Sequence, residues 1–415
     1  MRNFPFEPGP FGGPPPEHRR RQSHDPLGRV VFPTSDEAVL AVRYEDVRAI
    51  LGSASFSVEA LRLGHADADL ALARDAPPRL VGSLMNSDPP DHTRLRRLVA
   101  GLFTPARIEN LRPRAVRLAN DLIDDMGTPP IDFIEAFSEP FSAHLILDLL
   151  GTPENGREEL VRHFDGFTFT SSLTLAERAR KAQEFNRHVI ALLMRARSAG
   201  SVKGLVGALA DARGGDGKLS EEELHGLIYA IVTVGHGTAV ATLTRAACTL
   251  LRHPDQFDRL AAFSAHVPSA VEELLRLDIP GEGGQPRVAT ENVDLPSGAI
   301  HRGELVLPSI ASANRDEKHF PDPDAFDILR SPNPHMTFGY GHHYCLGASL
   351  ARMQLQVMVG QLVERVPTLR LAVPAGELLY TNDGATRGLT SLPVAFDALR
   401  PTTTDDNGTA ERTTK

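Results

Sequence analysis

The chain has 415 residues, 41% of them hydrophobic and 23% charged, with a formal net charge of -9. This composition is that of a globular protein and excludes disorder of the whole chain, while the acidic balance argues against nucleic acid as the main partner. Two cysteines exclude a disulfide framework and a cysteine-rich zinc site, leave a histidine-rich site open, and favour a cytoplasmic protein.

The chain begins with residues rich in Pro and Gly, and we expect that segment to be irregular. It has no apolar run of the signal-peptide kind. The most apolar stretch, residues 226–235, is shorter than the ~20 residues that a membrane span needs, so we expect a buried helix and no membrane partner. Residues 399–415 are polar and expected to be disordered, which leaves residues 1–398 as a single domain.

The predicted elements are mostly helices, with a few strands near both ends of the chain. Strand-like segments fall at residues 29–32, 38–42 and 304–308. Helical spacing marks residues 135–150, which stop at Gly151, and residues 181–199 form an amphipathic basic segment. This order predicts a mainly α architecture with a small β subdomain.

The longest predicted helix begins at Ser220, which can cap it, and carries acids at residues 221–223, where they suit the helix dipole. Helical spacing continues to about Arg252, a length of roughly 50 Å at about 1.5 Å per residue. We expect a helix so long and so apolar to cross the core.

Two glycines stand inside this helix, where Gly235 and Gly237 flank His236. Each glycine costs about 1 kcal/mol relative to alanine in a helix, so we expect the helix to open there or to approach another group closely. Thr238 follows, and a threonine within a helix most often bonds back to its own backbone.

The strongest chemical signal is the segment Phe-Gly-Tyr-Gly-His-His-Tyr-Cys-Leu-Gly at residues 338–347. Gly339 and Gly341 permit positive φ and a close approach to a ligand. Cys345 precedes a helical run whose N–H groups and dipole favour the thiolate. Such a cysteine is a metal ligand or a nucleophile, although an isolated cysteine in a turn is more often structural.

This segment resembles the haem-binding loop of cytochromes P450, with the pattern F-G-x-G-x-H-x-C-x-G. Every fixed position is present: Phe338, Gly339, Gly341, His343, Cys345 and Gly347. The resemblance, which runs from about residue 4 to residue 396, implies the triangular, helix-rich P450 fold with a small β subdomain. It also implies a haem b (iron protoporphyrin IX) between the long helix and this loop, with Cys345 as the ligand of the iron.

The resemblance assigns further cofactor contacts. Phe338 would shield the thiolate side of the ring and His343 would reach a propionate. The neighbouring His342 could otherwise suggest zinc with His343, but successive histidines seldom ligate one ion on a rigid loop.

Outside the loop, His92 and Arg96, neighbours one turn apart on a helix, correspond to a pair on one propionate, and Arg287 to the arginine on the other. Arginine suits buried carboxylates. His335 corresponds to a histidine with a looser haem contact.

Glu273 and Arg276 lie one helical turn apart in an E-x-x-R pattern, which alone would indicate a solvated ion pair. The resemblance implies a buried triad instead, completed by Arg330 from a later loop. Its role would be structural.

The family pattern in the long helix is A-G-x-[DE]-T-T, in which the threonine assists proton delivery during dioxygen activation. Gly235 and Thr238 match this pattern, whereas Gly237 stands at the position of the acid and Ala239 at that of the second threonine. This departure puts the usual proton relay in question.

The resemblance therefore implies a cytoplasmic haem-thiolate monooxygenase that uses dioxygen to oxidise a small, partly apolar organic molecule of specialised metabolism. We expect a monomer that takes electrons from a separate ferredoxin and ferredoxin reductase, with Arg97, Arg112 and Arg114 as candidates to dock an acidic ferredoxin. The expected pocket segments are residues 56–85, 167–175, 231–238, 279–286 and 386–390.

Two alternatives remain. Because Gly237 replaces the acid, the enzyme could couple or cyclise its substrate without net oxygen insertion. The second alternative is a protein of another class, a haem-binding sensor or carrier without turnover. Thr238 favours an enzyme.

Overall fold

Helices dominate the computed structural model, which describes residues 2–32, 36–60, 84–152, 157–162, 219–381 and 387–402 and isolated positions between 164 and 191. The helices are α1 Pro16–His24, α2 Tyr44–Gly52, α3 Asp91–Ala100, α4 Pro105–Glu109, α5 Arg112–Asp124, α6 Glu139–Leu150, α7 Arg157–Val161, α8 Glu221–Leu251, α9 Pro254–Ala262, α10 Val267–Leu277, α11 Ile310–Ala313 and α12 Ala348–Arg365. Most of the predicted helix at 181–199 lies outside the described residues.

The strands are few and short, as predicted. They are β1 Arg2–Asn3, β2 Arg29–Val31, β3 Glu37–Ala41, β4 Phe56–Ser57, β5 Ile131–Asp132, β6 Arg287–Ala289, β7 Val293–Leu295, β8 Gly298–Ile300, β9 Leu305–Pro308, β10 Arg370–Leu371 and β11 Pro393–Ala395. The largest sheet has the order β1-β2-β3-β9-β6-β4, with β10-β11-β5 and the hairpin β7-β8 as smaller sheets. The mainly α architecture with a small β subdomain is therefore confirmed.

The opening residues differ from the prediction, because strand β1 and helix α1 lie within the segment expected to be irregular. Pro16 occupies the first turn of α1, where its missing N–H costs nothing. Arg21 is buried, pairs with Glu17 and donates to the carbonyl of Arg29. Phe4 is also buried. Long-range contacts of this kind order a segment for which the Pro-rich composition predicts no regular structure.

Helix α8 is the long core helix that the sequence predicts. The Ser220 side chain accepts the Glu223 N–H at 3.0 Å, and the Glu223 carboxylate accepts the Ser220 N–H at 2.9 Å, so both partners of a capping box are present. The helix packs on α6, α9, α10 and α12. Its stretch Gly226–Leu251 has the length and hydropathy of a membrane span, but more than half of its most apolar part is buried in the protein.

Helix α6 ends as predicted. Gly151 takes the left-handed conformation at φ 79°, which terminates the helix. At the other end, a π-helical turn at Ile134–Ser138 precedes α6.

The predicted triad of Glu273, Arg276 and Arg330 is confirmed as a buried cluster. Arg276 donates to both carboxylate oxygens of Glu273 at 2.7 and 2.8 Å, and Nε of Arg330 donates to the same two oxygens at 3.0 and 3.1 Å. Arg276 also donates to the carbonyls of Asn314 and Pro323. The triad thus joins α10 to the long segment that leads to the Cys345 loop.

Replacing Glu273 by Ala should be strongly destabilising, because it leaves two guanidinium groups without their buried carboxylate. We expect a loss of about 3–5 kcal/mol in the free energy of unfolding, measured by denaturant titration. Asp324→Ala is a matched control, since Asp324 also pairs with arginines but is exposed; it should cost about 0–1 kcal/mol. Equal stabilities of the two variants would contradict the structural role of the triad.

Candidate cofactor and active site

The Cys345 loop is a closed turn held by backbone hydrogen bonds. The Cys345 N–H donates to the Phe338 carbonyl at 2.7 Å, and Gly339 and Gly341 both have φ of 75°. A Cβ on Gly341 would lie 2.6 Å from the carbonyl oxygen of Leu51 in α2, so this position accepts only glycine. The loop therefore delivers Cys345 to the N-terminal end of α12.

The Cys345 sulfur combines accessibility with desolvation. Its side chain is exposed, yet the surrounding protein atoms raise the pKa of the thiol, against the Gly347 N–H and the guanidinium groups of Arg96 and Arg352, which lower it. The Cys345 side chain is therefore accessible, although nearby protein atoms disfavour its charged form. A metal cation beside the sulfur would favour the thiolate.

The second cysteine has a different environment. Cys248 is buried, and its sulfur lies 3.7 Å from the Tyr380 hydroxyl, in a setting where burial raises the pKa of the thiol. It packs in the core as a small apolar residue. Of the two thiols, Cys345 is the one placed to ligate a metal.

Phe338 lies on the Cys345 side of the loop, where the Arg352 guanidinium stacks 4.5 Å from the centre of its ring. The Phe338 ring is also 6.4 Å from the Tyr344 ring. This placement is compatible with the predicted shield of the thiolate.

His92 meets two histidines of the loop, His342 and His343. The His92 ring centre lies 4.4 Å from that of His343 and 5.7 Å from that of His342. Burial, with Arg96 and His342, lowers the pKa of His92 to about 4, and burial, with Arg287 and the other histidines, lowers the pKa of His343 to about 2. Among the described residues, Nδ1 of His92 and Nε2 of His343 have no hydrogen-bond partner.

Arg287 completes this group of buried donors. It is 1% exposed, its Nη1 makes only long contacts of 3.4 Å with the Ile50 and Leu51 carbonyls, and within the described chain its Nε has no partner. Burial lowers its pKa to about 10, opposed by Asp88. A buried guanidinium without a hydrogen-bonded carboxylate is costly. The two propionates of a haem would supply carboxylates within hydrogen-bond reach, so the donor set fits that cofactor.

The two remaining predicted cofactor contacts, Arg96 and His335, lie in different environments. Arg96 donates to the Tyr344 carbonyl at 2.7 Å and lies toward Cys345, as a cofactor contact requires. His335 does not present a free ring nitrogen: Nε2 lies 3.1 Å from a Glu272 carboxylate oxygen, and Nδ1 accepts the Thr337 N–H at 3.3 Å. His335 therefore ties the loop to α10, and its expected haem contact stays a prediction.

Asp88 is a site residue that the sequence reasoning missed. Its carboxylate lies with His342 and His343, the possible ligand atoms all within 4.8 Å of one another. However, it already accepts hydrogen bonds from the Ser57 hydroxyl and from the N–H groups of Val58 and Glu59. We interpret Asp88 as a fixed counter-charge near Arg287 rather than as a zinc ligand.

Helix α8 passes the site without the break that its glycines predict, because it stays helical from Glu221 to Leu251. Thr238 donates its hydroxyl to the Val234 carbonyl, the back-bonding expected of a helical threonine. His236 points into the core instead, with Nδ1 3.1 Å from the Ser142 hydroxyl and burial lowering its pKa to about 3. Residues two apart lie about 200° apart around a helix, so His236 and Thr238 face different surroundings.

The outer face of the loop carries aromatic and basic side chains that the sequence reasoning also missed. The exposed Tyr340 ring lies 4.9 Å from the Arg48 guanidinium. Of the arginines predicted to dock a ferredoxin, Arg97 is exposed, whereas Arg112 is paired with Glu109 and Arg114 with Asp148.

Comparison with known proteins places these features in one family. The family model for Cytochrome P450 matches residues 266–368, which include α10, the triad and the Cys345 loop. The chain is 37% identical over 382 residues to Mycinamicin IV hydroxylase/epoxidase of Micromonospora griseorubida, covering 90% of this chain and 94% of the relative. It is also 37% identical over 379 residues to Biflaviolin synthase of Streptomyces coelicolor, covering 89% and 90%.

A solved structure agrees. A variant of the mixed-function P450 MycG in complex with mycinamicin IV superposes with a TM-score of 0.87 at 36% identity, covering 95% of this chain and all of that one.

If the buried donors hold propionates, Arg287→Leu and His92→Leu should each weaken haem retention, because each removes a charge-assisted hydrogen bond. We expect faster transfer of haem to apomyoglobin by about tenfold, within the range for a lost bond to a charged group. Arg97→Leu, on the same helix as His92 but exposed, should retain haem as the unchanged protein does. Unchanged transfer rates in both test variants would exclude these roles.

Proposed function

The chain belongs to the cytochrome P450 family, and we propose that it oxidises a neutral, partly apolar small molecule, with Cys345 as the axial ligand of its haem. The family makes the protein a haem-thiolate monooxygenase. When bound, the haem supplies an iron that activates dioxygen at the cost of two electrons and two protons. The observation that carries the ligand assignment is the accessible, desolvated Cys345 sulfur at the start of α12.

The chain's own residues would hold and polarise this centre. The Gly347 N–H and the guanidinium groups of Arg96 and Arg352 favour negative charge on the Cys345 sulfur. Arg287 would neutralise a propionate, and His92 and His343, whose pKa values are lowered to about 4 and about 2, would donate hydrogen bonds to the propionates as neutral rings. With these contacts, the residues would hold the cofactor between α8 and the Cys345 loop.

The substrate would lie against α8 and against the loop that follows α10. The α8 segment 231–238 and the loop 279–286 are mostly apolar or small, which favours a neutral organic molecule over a charged one. A relative named for its action on mycinamicin IV, and a neighbour solved with that compound, support a specialised metabolite as substrate.

Proton delivery is where this chain departs from its family. Thr238 is present, but Gly237 contributes no carboxylate, and the neutral His236 beside it faces α6. We infer that water or a substrate hydroxyl delivers the protons. A second candidate function, coupling or ring formation without net oxygen insertion, is favoured by the same glycine and by the similarity to Biflaviolin synthase.

Electrons would come from a separate ferredoxin and its reductase in the cytoplasm, docking on the face that carries the Cys345 loop. Arg97 is exposed, and so are Arg48 and Tyr340, which pair on the outer face of the loop. The carboxylates beside Arg112 and Arg114 reduce their attraction for an acidic partner.

Replacing Cys345 by Ser should abolish the absorption signature of the thiolate-ligated, reduced carbon monoxide complex, because an alcohol does not replace the thiolate. Cys248→Ser is the matched control and should keep that signature. The spectra of the purified, reduced proteins decide the matter, and a Cys345→Ser variant with an unchanged spectrum would exclude Cys345 as the ligand.

Two changes in α8 test the proton pathway. Gly237→Glu adds a carboxylate but fills space, so it should alter coupling or weaken substrate binding while leaving the haem spectrum intact. Thr238→Ala should lower coupled turnover by roughly tenfold or less. This loss is smaller than the roughly 10²–10⁴-fold loss that is typical when a general acid–base group is removed.

The measurement is product formed per reductant consumed. Abolished coupling in Thr238→Ala, together with no change in Gly237→Glu, would show an ordinary threonine-centred relay and contradict the proposed departure.

A further inference from the structure

A network of charged side chains is buried behind the loop that joins α10 to β6, residues 278–286. The loop is tightly wound: Gly281 and Gly283 have φ of 104° and 78°, and a Cβ on Gly284 would lie 1.8 Å from the carbonyl oxygen of Pro308. Glu282 lies between Gly281 and Gly283 and is 5% exposed. An acid at this depth needs partners.

Glu282 finds its partners in three distant parts of the chain. The Ser309 hydroxyl donates to Oε2, and Nη2 of Arg387 donates to Oε1 at 3.2 Å. Nε2 of His18 lies 3.4 Å from Oε2. Burial acts to raise the pKa of Glu282, but His18, Arg387 and the Ser309 bond lower it below its ordinary value. Burial lowers the pKa of His18, whereas Arg387 is a permanent cation at this position.

Arg387 extends the network to the N-terminal segment and to α8. Its Nη1 donates to the Gly13 carbonyl at 3.3 Å, and its own carbonyl accepts from Nη1 of Arg245 at 3.2 Å. Arg245 in turn donates to the Gly12 carbonyl and pairs with Asp278 at the start of the loop. Four segments distant in sequence are therefore tied together through buried charges.

We propose that Glu282 and Arg387 are a pair of positioning residues that hold the loop 279–286 in fixed relation to residues 387–390, the described part of a second predicted pocket segment, and so shape the pocket. This inference rests on the proposed function, because the resemblance to the family is what assigns those segments to the pocket. A buried ion pair adds little stability compared with apolar packing but selects one arrangement. The loop also leads directly into Arg287, so its position affects the cofactor edge.

The test uses the haem-loaded protein and two azoles that ligate the iron: imidazole, which is small, and clotrimazole, which is bulky enough to reach the loops. Binding is followed by the shift of the haem absorption band. In Glu282→Gln, the uncompensated Arg387 should displace the loops, weakening clotrimazole about tenfold while imidazole changes by about twofold or less. Adding Arg387→Gln removes the unpaired cation and should restore clotrimazole binding to within about threefold of the unchanged protein.

Two further variants separate positioning from general damage. Asp124→Asn removes a carboxylate from the buried Arg365 between α5 and α12, so the ratio of the two dissociation constants should not change. Ser309→Ala removes one hydrogen bond to Glu282 without unpairing Arg387, and should shift the ratio in the same direction by less. It also provides the test if Glu282→Gln does not fold.

An unchanged ratio in Glu282→Gln and Ser309→Ala, or equal weakening of both azoles, would overturn the proposal. If the unchanged protein gave no azole-induced shift, the proposed function would fail, and this inference with it. A responsive unchanged protein with unresponsive variants would overturn the positioning pair alone.

Discussion

The site depends on how the Cys345 loop presents one sulfur atom to a metal cation. Desolvation raises the pKa of Cys345, and only the Gly347 N–H and two guanidinium groups act in the other direction. These three donors do not offset the desolvation in full, because the pKa of the thiol stays raised. A metal cation beside the sulfur would favour the thiolate. The positive φ of Gly339 and Gly341 and the close contact of the loop with α2 fix the loop that carries the sulfur.

The buried polar groups are of two kinds: those that find partners within the chain, and those that are placed to bind the cofactor. Glu273 is surrounded by arginines from its own chain, and its contacts are short and bidentate. Arg287 and His92 are equally buried, but Nε of Arg287 and Nδ1 of His92 have no hydrogen-bond partner among the described residues. The first group stabilises the fold by itself, whereas the second is complete only when a ligand brings carboxylates. Glu282 and Arg387 resemble the first group, but they join segments predicted to contact the substrate.

The sequence predicted the local features well, because spacing along one element determines them. The Cys345 loop, the Ser220 cap and the Gly151 stop depend on neighbours a few residues away. Contacts between distant segments were predicted only where the family resemblance supplied them, as for Arg330 with Glu273. Helix α1 lies in a Pro-rich segment, the partner of His335 is an acid 63 residues earlier in the chain, and Glu282 meets Arg387 over 105 residues. No periodicity records such pairs, because they depend on how the elements pack.

The central claim is that Cys345 ligates a haem iron, and X-ray absorption at the iron edge tests it most directly. Purified, haem-loaded protein should show one sulfur atom in the first coordination shell. That sulfur should persist in Cys248→Ser and disappear in Cys345→Ser. A first shell of nitrogen and oxygen alone in the unchanged protein would contradict the account.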